Sequence, residues 1–138
     1  MRLINCSRTK VTQILPYDEN PTPLILTGAW QDLPNGFLIN VQDTTSLGIW
    51  LHITAALNVE VRVQATYEQD SNDYYNLPIQ NISPVLVGIN SQVYQVTETG
   101  TIKTVIAAPT ADVLHFLKIQ IRGIGQIEKA FVTAKGRL

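Results

Sequence analysis

Residues Asn58 to Gln64 alternate without a break, Val59, Val61 and Val63 against Glu60, Arg62 and Gln64. Successive side chains on an extended strand point to opposite faces, so this run presents one apolar and one polar face. It belongs to a longer stretch, Gly48 to Tyr67 (GIWLHITAALNVEVRVQATY), which reads as two strands and a short connection. In the first strand Ile49, Leu51 and Ile53 stand opposite Trp50, His52 and Thr54. An indole among small polar neighbours implies that this outer face is partly covered. The linking Ala55-Ala56-Leu57-Asn58 is long enough for a hairpin or for a crossover from one sheet to another.

The rest of the chain repeats this pattern in short pieces. Arg8 to Leu15 reads as a strand with Thr9, Val11, Gln13 and Leu15 on one mixed face, suiting an edge strand or an arm laid on another surface. Pro16, Pro21 and Pro23 make the following segment a stiff, extended connection. Leu24 to Trp30 and Phe37 to Val41 are strands separated by the turn Pro34-Asn35-Gly36, whose Asn and Gly accept positive φ. Further strands are expected at Tyr74 to Ile79, Val85 to Val87, Gln92 to Thr97 and Thr101 to Ala107. Glu98-Thr99-Gly100 reads as a tight hairpin loop between the last two. Val113 to Ile121 alternates again, Leu117, Ile119 and Ile121 against Lys118, Gln120 and Arg122, and Gly123-Ile124-Gly125 turns the chain into a closing strand, Gln126 to Thr133. About nine or ten short strands at roughly 8–12-residue spacing predict an all-β fold, a two-sheet antiparallel sandwich of jelly-roll type. Residues 1–138 form a single domain in this reading, with 1–23 as an N-terminal arm or edge strand and its proline-rich connection.

Charged residues make up only 15% of the chain, against about 25% in ordinary domains. Such a chain either hides much of its surface or relies on Ser, Thr, Asn and Gln for solubility. The charges are also segregated. The two ends, 1–15 and 103–138, carry seven net positive charges, and the middle, 16–102, carries eight net negative ones. That layout favours oriented docking or head-to-tail assembly over generic polyanion binding. One cysteine, Cys6, excludes an internal disulfide and reads as a small, partly buried apolar side chain. No run approaches the roughly 18 apolar residues of a membrane span. The opening MRLINCSRTK lacks the apolar block of a secretory signal, so synthesis in a host cytoplasm is expected.

Chemistry finds little foothold. His52 and His115 are the only histidines, each on a strand whose other face is apolar, and no G-x-S-x-G elbow accompanies them. Two isolated histidines and one cysteine fall short of a zinc set. The acidic run Glu68 to Asp73 resembles a calcium loop only at Asp70 and Asn72, with Tyr74 at the third position and Asn81 where a bidentate Glu belongs. Gly123-x-Gly125 has no following helix and no lysine for a phosphate. Lys118, Gln120 and Arg122, with Lys129, Lys135 and Arg137, could follow a nucleic-acid backbone. The interleaved exposed rings of single-strand binders are missing, Phe116 and Phe131 being readily spent in the core. No enzyme activity, cofactor, metal or nucleic-acid partner is therefore expected. Trp30, Trp50, Tyr74 and Tyr75 are possible platforms for a sugar, but an aromatic anchor in a subunit contact is the preferred role for Trp50. The candidate interface residues are Trp50, His52, Tyr74, Tyr75, Lys118 and Arg122.

The block IWLHITAALNVEVRVQATYEQDSNDYYNLPI resembles small accessory virion proteins of tailed bacteriophages. In these an apolar strand leads through a short turn to a V-x-V-x-V strand, an acidic loop and an aromatic strand. HFLKIQIRGIGQIEKAFVTAKGR is similar to their ending, a strand with an aromatic and a basic residue, a Gly-containing turn and a last strand. The likeness covers residues 46–82 and 113–137. Here the acidic loop is longer, with Asp70-Ser71-Asn72-Asp73 in place of an Asp-Gly turn. The resemblance implies a β-sandwich that decorates a capsid or serves as a head or tail accessory protein. It would be found in the virion, contact copies of itself and partners such as the major capsid protein, and have no membrane association or catalysis. The alternative from the residues alone is a carbohydrate- or receptor-binding module.

Overall fold

The computed structural model describes residues 1–6, 10–81, 93–109 and 114–136. Among them are eleven strands and no helix: β1 (Arg2–Asn5), β2 (Thr12–Leu15), β3 (Leu24–Ile25), β4 (Gln31–Asp32), β5 (Phe37–Asn40), β6 (Thr44–Thr66), β7 (Tyr75–Asn76), β8 (Gln80–Asn81), β9 (Tyr94–Val96), β10 (Gly100–Pro109) and β11 (Phe116–Gly136). The all-β expectation holds. The expected strand at Val85 to Val87 lies outside the described residues.

Two strands dominate. β6, of 23 residues, and β11, of 21, pair antiparallel along their whole lengths, from Thr66↔Phe116 to Thr44↔Gly136. Fully extended, β6 would carry its ends about 70 Å apart. Instead both ends reach one corner. Thr44 closes a turn onto the Val41 carbonyl (N–O 3.1 Å), Val41 donates to the His115 carbonyl (2.8 Å), and the neighbouring Phe116 pairs with Thr66. The two-stranded ribbon is therefore doubled back on itself.

The fold in the ribbon has a local cause. Ala55 and Asn58 on β6 both have φ of 52°, while Gly123 and Gly125 facing them on β11 have φ of 140° and 130°. The register slips between Arg122 and Ile124 and again between Ile124 and Gln126. Such bulges bend a strand and let one sheet turn a corner. A Cβ on Gly123 would sit 2.8 Å from the Asn58 carbonyl oxygen, and one on Gly125 would sit 2.8 Å from that of Thr54. Only a residue without a side chain lets the two backbones approach this closely. Of the two readings of residues 55–58, a crossover is what forms, within a single continuous strand. Gly123-Ile124-Gly125 likewise bends β11 rather than ending it.

Doubling gives two layers that share one hydrogen-bonded sheet, of order β1-β5-β11-β6-β10-β8. The first layer contains Thr44 to Thr54 of β6, the second half of β11, and β10, β2 and β8. The second contains the other halves of β6 and β11 with β1, β5, β4, β7 and β9. Leu47, Ile49, Leu51 and Ile53 from the first layer and Val59, Val61, Val63 and Ala65 from the second point inward. They meet Leu117, Ile119, Ile121, Ile127, Ala130 and Val132 in one buried cluster. Each Val, Leu or Ile side chain so removed from water contributes about 1.5–3 kcal/mol.

Three details differ from expectation. β9 pairs with Val59 to Val61 and β10 with Ser46 to Ala56, so residues 97–99 cross between layers and do not close a hairpin. Leu24 to Trp30 is a strand only at Leu24–Ile25; beyond it Leu26 and Gly28 donate single hydrogen bonds to the Gly125 and Gly123 carbonyls. The N-terminal segment is built into the sheet. β1 runs parallel to β5 at the sheet edge, departing from the all-antiparallel scheme, β2 pairs with β11, and Ile4, Ile14 and Leu15 are at most 1% exposed.

The bend can be tested by comparing two glycines. Gly125→Ala should lower the unfolding free energy by about 2 kcal/mol or more, because it combines a disfavoured φ with backbone contact. Gly28→Ala has a similar φ penalty (φ 87°) but open space, and should cost about 1 kcal/mol. Equilibrium urea unfolding measures both; equal losses would show that close approach at the bend does not matter.

Candidate functional site

Doubling also creates two outer faces, and they differ in chemistry. On the second layer the alternation places Glu60, Arg62 and Gln64 beside Arg122, Gln120 and Lys118 of β11, each directly across from its partner. Arg122 donates to Glu60 (2.7 Å), Arg62 to Gln120 (2.7 Å), and Gln120 to Asp32 (2.7 Å). Lys118 lies 3.9 Å from Asp32 and 3.8 Å from the Tyr74 ring centre. The segment from Leu24 to Leu33 follows β11 and lays Trp30 over this network, with the Arg62 and Arg122 guanidiniums 4.1 and 4.4 Å from its ring. The hydrogen bond from Arg122, with a lesser one from Gln95, holds the Glu60 carboxyl below its ordinary 4.5 against the opposing effect of burial. Burial and the nearby Arg122 push Arg62 below its ordinary value while Asp32 pulls the other way; the guanidinium stays charged. This face is internally satisfied. Its cations are engaged within the chain.

The first layer's outer face is different. Trp50 lies between its cross-strand partners Phe131 on β11 and Val105 on β10. Next to that apolar row runs a second one, His52 between Lys129 and Lys103. The indole is held in place: its Nε1 donates to Thr133 Oγ1 at 2.9 Å, over Gly48, where a Cβ would meet the same oxygen at 2.6 Å. Val11 adds a further apolar side chain, and Val11, Trp50 and Phe131 together line a shallow depression. Trp50 is 45% exposed and Val11 62%. A wider hollow of about 430 Å³ extends from Trp50 and Phe131 to His52, Lys103 and Lys129. Among the described residues no carboxylate stands within ion-pair distance of Lys103 or Lys129.

The residues singled out from sequence thus divide. Trp50 and His52 share the first face; Tyr74, Lys118 and Arg122 belong to the second. Tyr75, 61% exposed, pairs with Ala65 at the end of the acidic loop. In that loop Tyr67 donates to Asp73 (3.0 Å) and Asp70 lies 3.8 Å from the Met1 ammonium. His115 packs edge-on against Phe116, away from His52. Burial pushes the Cys6 thiol up to about 11, leaving little reactive thiolate at neutral pH. Phe131, assigned from sequence to the core, faces outward instead. Its role, and those of Val105 and Val11, went unrecognised, although β10 carries apolar residues on both sides: Ile102 and Ile106 inward, Val105 and Ala107 outward.

No protein-family profile matches the sequence, and no curated protein matches it. Among solved structures, the SPBc2 prophage-derived protein YomS aligns with 91% of this chain and 92% of its own, with a TM-score of 0.55 and 9% identity. The two share a fold. That likeness spans nearly the whole of both chains, so the doubled ribbon and its flanking strands are covered by it.

The polar face offers a direct titration test. Glu60 should titrate below 4.5 by NMR and return toward it in Arg122→Ala. A depressed folded-state pKa means the pair stabilises the fold above the unfolded carboxylate value and ceases to do so as pH falls through the folded one. The wild-type minus Arg122→Ala stability difference should therefore shrink on acidification through that window; a pH-independent difference would contradict it.

Proposed function

We propose that this chain is a non-enzymatic structural protein of a tailed-phage particle, acting by docking on copies of itself and on other virion proteins. The observation that supports it most is the outer face of the first layer: a fixed, half-exposed Trp50 flanked by Phe131, Val105 and Val11 on an otherwise well-packed sheet. A large aromatic ring held rigid at the centre of an apolar patch is the usual anchor of a protein contact. The shared fold with a prophage-derived protein, and the sequence resemblance to accessory virion proteins, support a phage setting. The low charge of the chain is consistent with surface covered by neighbours. A second reading, a module that binds a glycan or a receptor, draws on the same exposed indole.

Immunogold electron microscopy of particles released by cells carrying this gene tests the proposal. Label at regular positions on purified particles is the expected result. Label confined to soluble material, with particles bare, would overturn it.

A further inference from the structure

The two outer faces show what the segregated charge of the sequence becomes in three dimensions. Much of it cancels internally: Arg2 pairs with Asp18 and Glu19, Lys118 with Asp32, and Arg122 with Glu60. Two groups remain. One is the cationic margin of the Trp50 patch, Lys103 and Lys129 with His52 between them. The other is the loop from Tyr67 to Tyr75, which presents Glu68 and Asp70, the latter 94% exposed although 3.8 Å from the Met1 ammonium, between two tyrosines exposed by 57% and 61%. One surface is apolar and aromatic with a basic edge. The other is aromatic and acidic.

We infer that the Trp50 face of one copy receives the Tyr67–Tyr75 loop of a second copy in a head-to-tail contact. This rests on the assembly reading above and names the surfaces it uses. Charge chooses between the two ways in which copies can meet. A symmetric contact, Trp50 face to Trp50 face, brings Lys103 and Lys129 of both copies together against Glu128, which accepts from Thr54 on that face and ion-pairs with neither lysine, so like charge still outweighs opposite charge and the contact is disfavoured. Face to loop, each lysine meets an acid and each exposed tyrosine meets an apolar row. A contact between different patches leaves one free face and one free loop at the ends of every dimer, so it propagates into a ring or a filament. The loop itself is tied to the N-terminus through Gln69, which donates to the Met1 carbonyl, and through Asp70. It is thus partly ordered before docking, which lowers the entropy cost of binding.

The test uses the intact chain and two charge-inverted variants. Lys103→Glu/Lys129→Glu inverts the face, and Glu68→Lys/Asp70→Lys inverts the loop. Circular dichroism and urea unfolding check that both variants fold. Sedimentation velocity should show concentration-dependent oligomers for the wild type that weaken as salt is raised. Each variant alone should associate at least tenfold more weakly. An equimolar mixture should regain association, because the face-inverted copy keeps a normal loop for the normal face of the loop-inverted copy, and the two inverted surfaces again carry opposite charge. If the loop-inverted variant assembles as the wild type does, or if assembly is indifferent to salt, this contact is wrong while the assembly reading stands. A wild type that stays monomeric at every concentration overturns both. So does a monomer whose Trp50 fluorescence shifts on adding polygalacturonate, which would make the face a binding site for an acidic glycan.

Discussion

The structure depends on the backbone pairing between β6 and β11 and on the one place where that pairing bends. A straight two-stranded ribbon cannot bury its apolar face, since nothing in it covers that side. Bent double at Ala55–Asn58 and Gly123–Gly125, the same ribbon becomes its own cover, and each half supplies the inward row that the other half needs. The energetic weights agree with this order of importance. Each buried Val, Leu or Ile side chain is worth about 1.5–3 kcal/mol, whereas an exposed ion pair such as Arg2 with Glu19 is worth about 1 kcal/mol or less. The short strands are additions to the ribbon. Most extend a layer, and the segment after β3 also donates to the Gly125 and Gly123 carbonyls at the corner itself.

That corner also decides what the outside of the molecule is for. The alternation that turns valines inward on the second half of β6 turns Glu60, Arg62 and Gln64 outward. The matching half of β11 meets them with groups that complete their hydrogen bonds, and Trp30 closes over the result. On the first half the same alternation exposes Trp50 and His52. There the neighbouring strands contribute Phe131, Val105 and two lysines, which leave apolar surface and positive charge without an internal partner among the described residues. One face is finished within the chain, and the other is left for something else.

Much of this was legible in the sequence. The period-two alternation of Val59 to Gln64 and of Leu117 to Arg122 identified both halves of the second layer and which side chains point inward. The oddity of Trp50 on a polar face pointed to a covered surface. What could not be read was partnership. Nothing local shows that Gly123 and Gly125 face Asn58 and Thr54 across a bend, because such a contact joins residues some 65 apart in the chain. In isolation two glycines around an isoleucine look like a turn. Phe131 was assigned to the core because aromatic residues near a strand centre usually go there. Its neighbours Ala130 and Val132 are smaller, but they hold the inward positions, so the ring is forced out. The N-terminal segment looked separable because its alternation is irregular; Ile4, Ile14 and Leu15 are nevertheless buried, by strands distant in sequence.

A distance across the two ends of β6 tests the doubled ribbon most directly. Thr45 and Tyr67, both exposed, would carry spin labels in a chain whose Cys6 is replaced by alanine. Pulsed electron resonance should then report a separation of about 20–30 Å, label arms included, against about 70 Å for an unbent strand of that length. A distribution centred near the short value is what the fold requires. One centred near the long value would contradict the corner, the shared core and the two faces that follow from it.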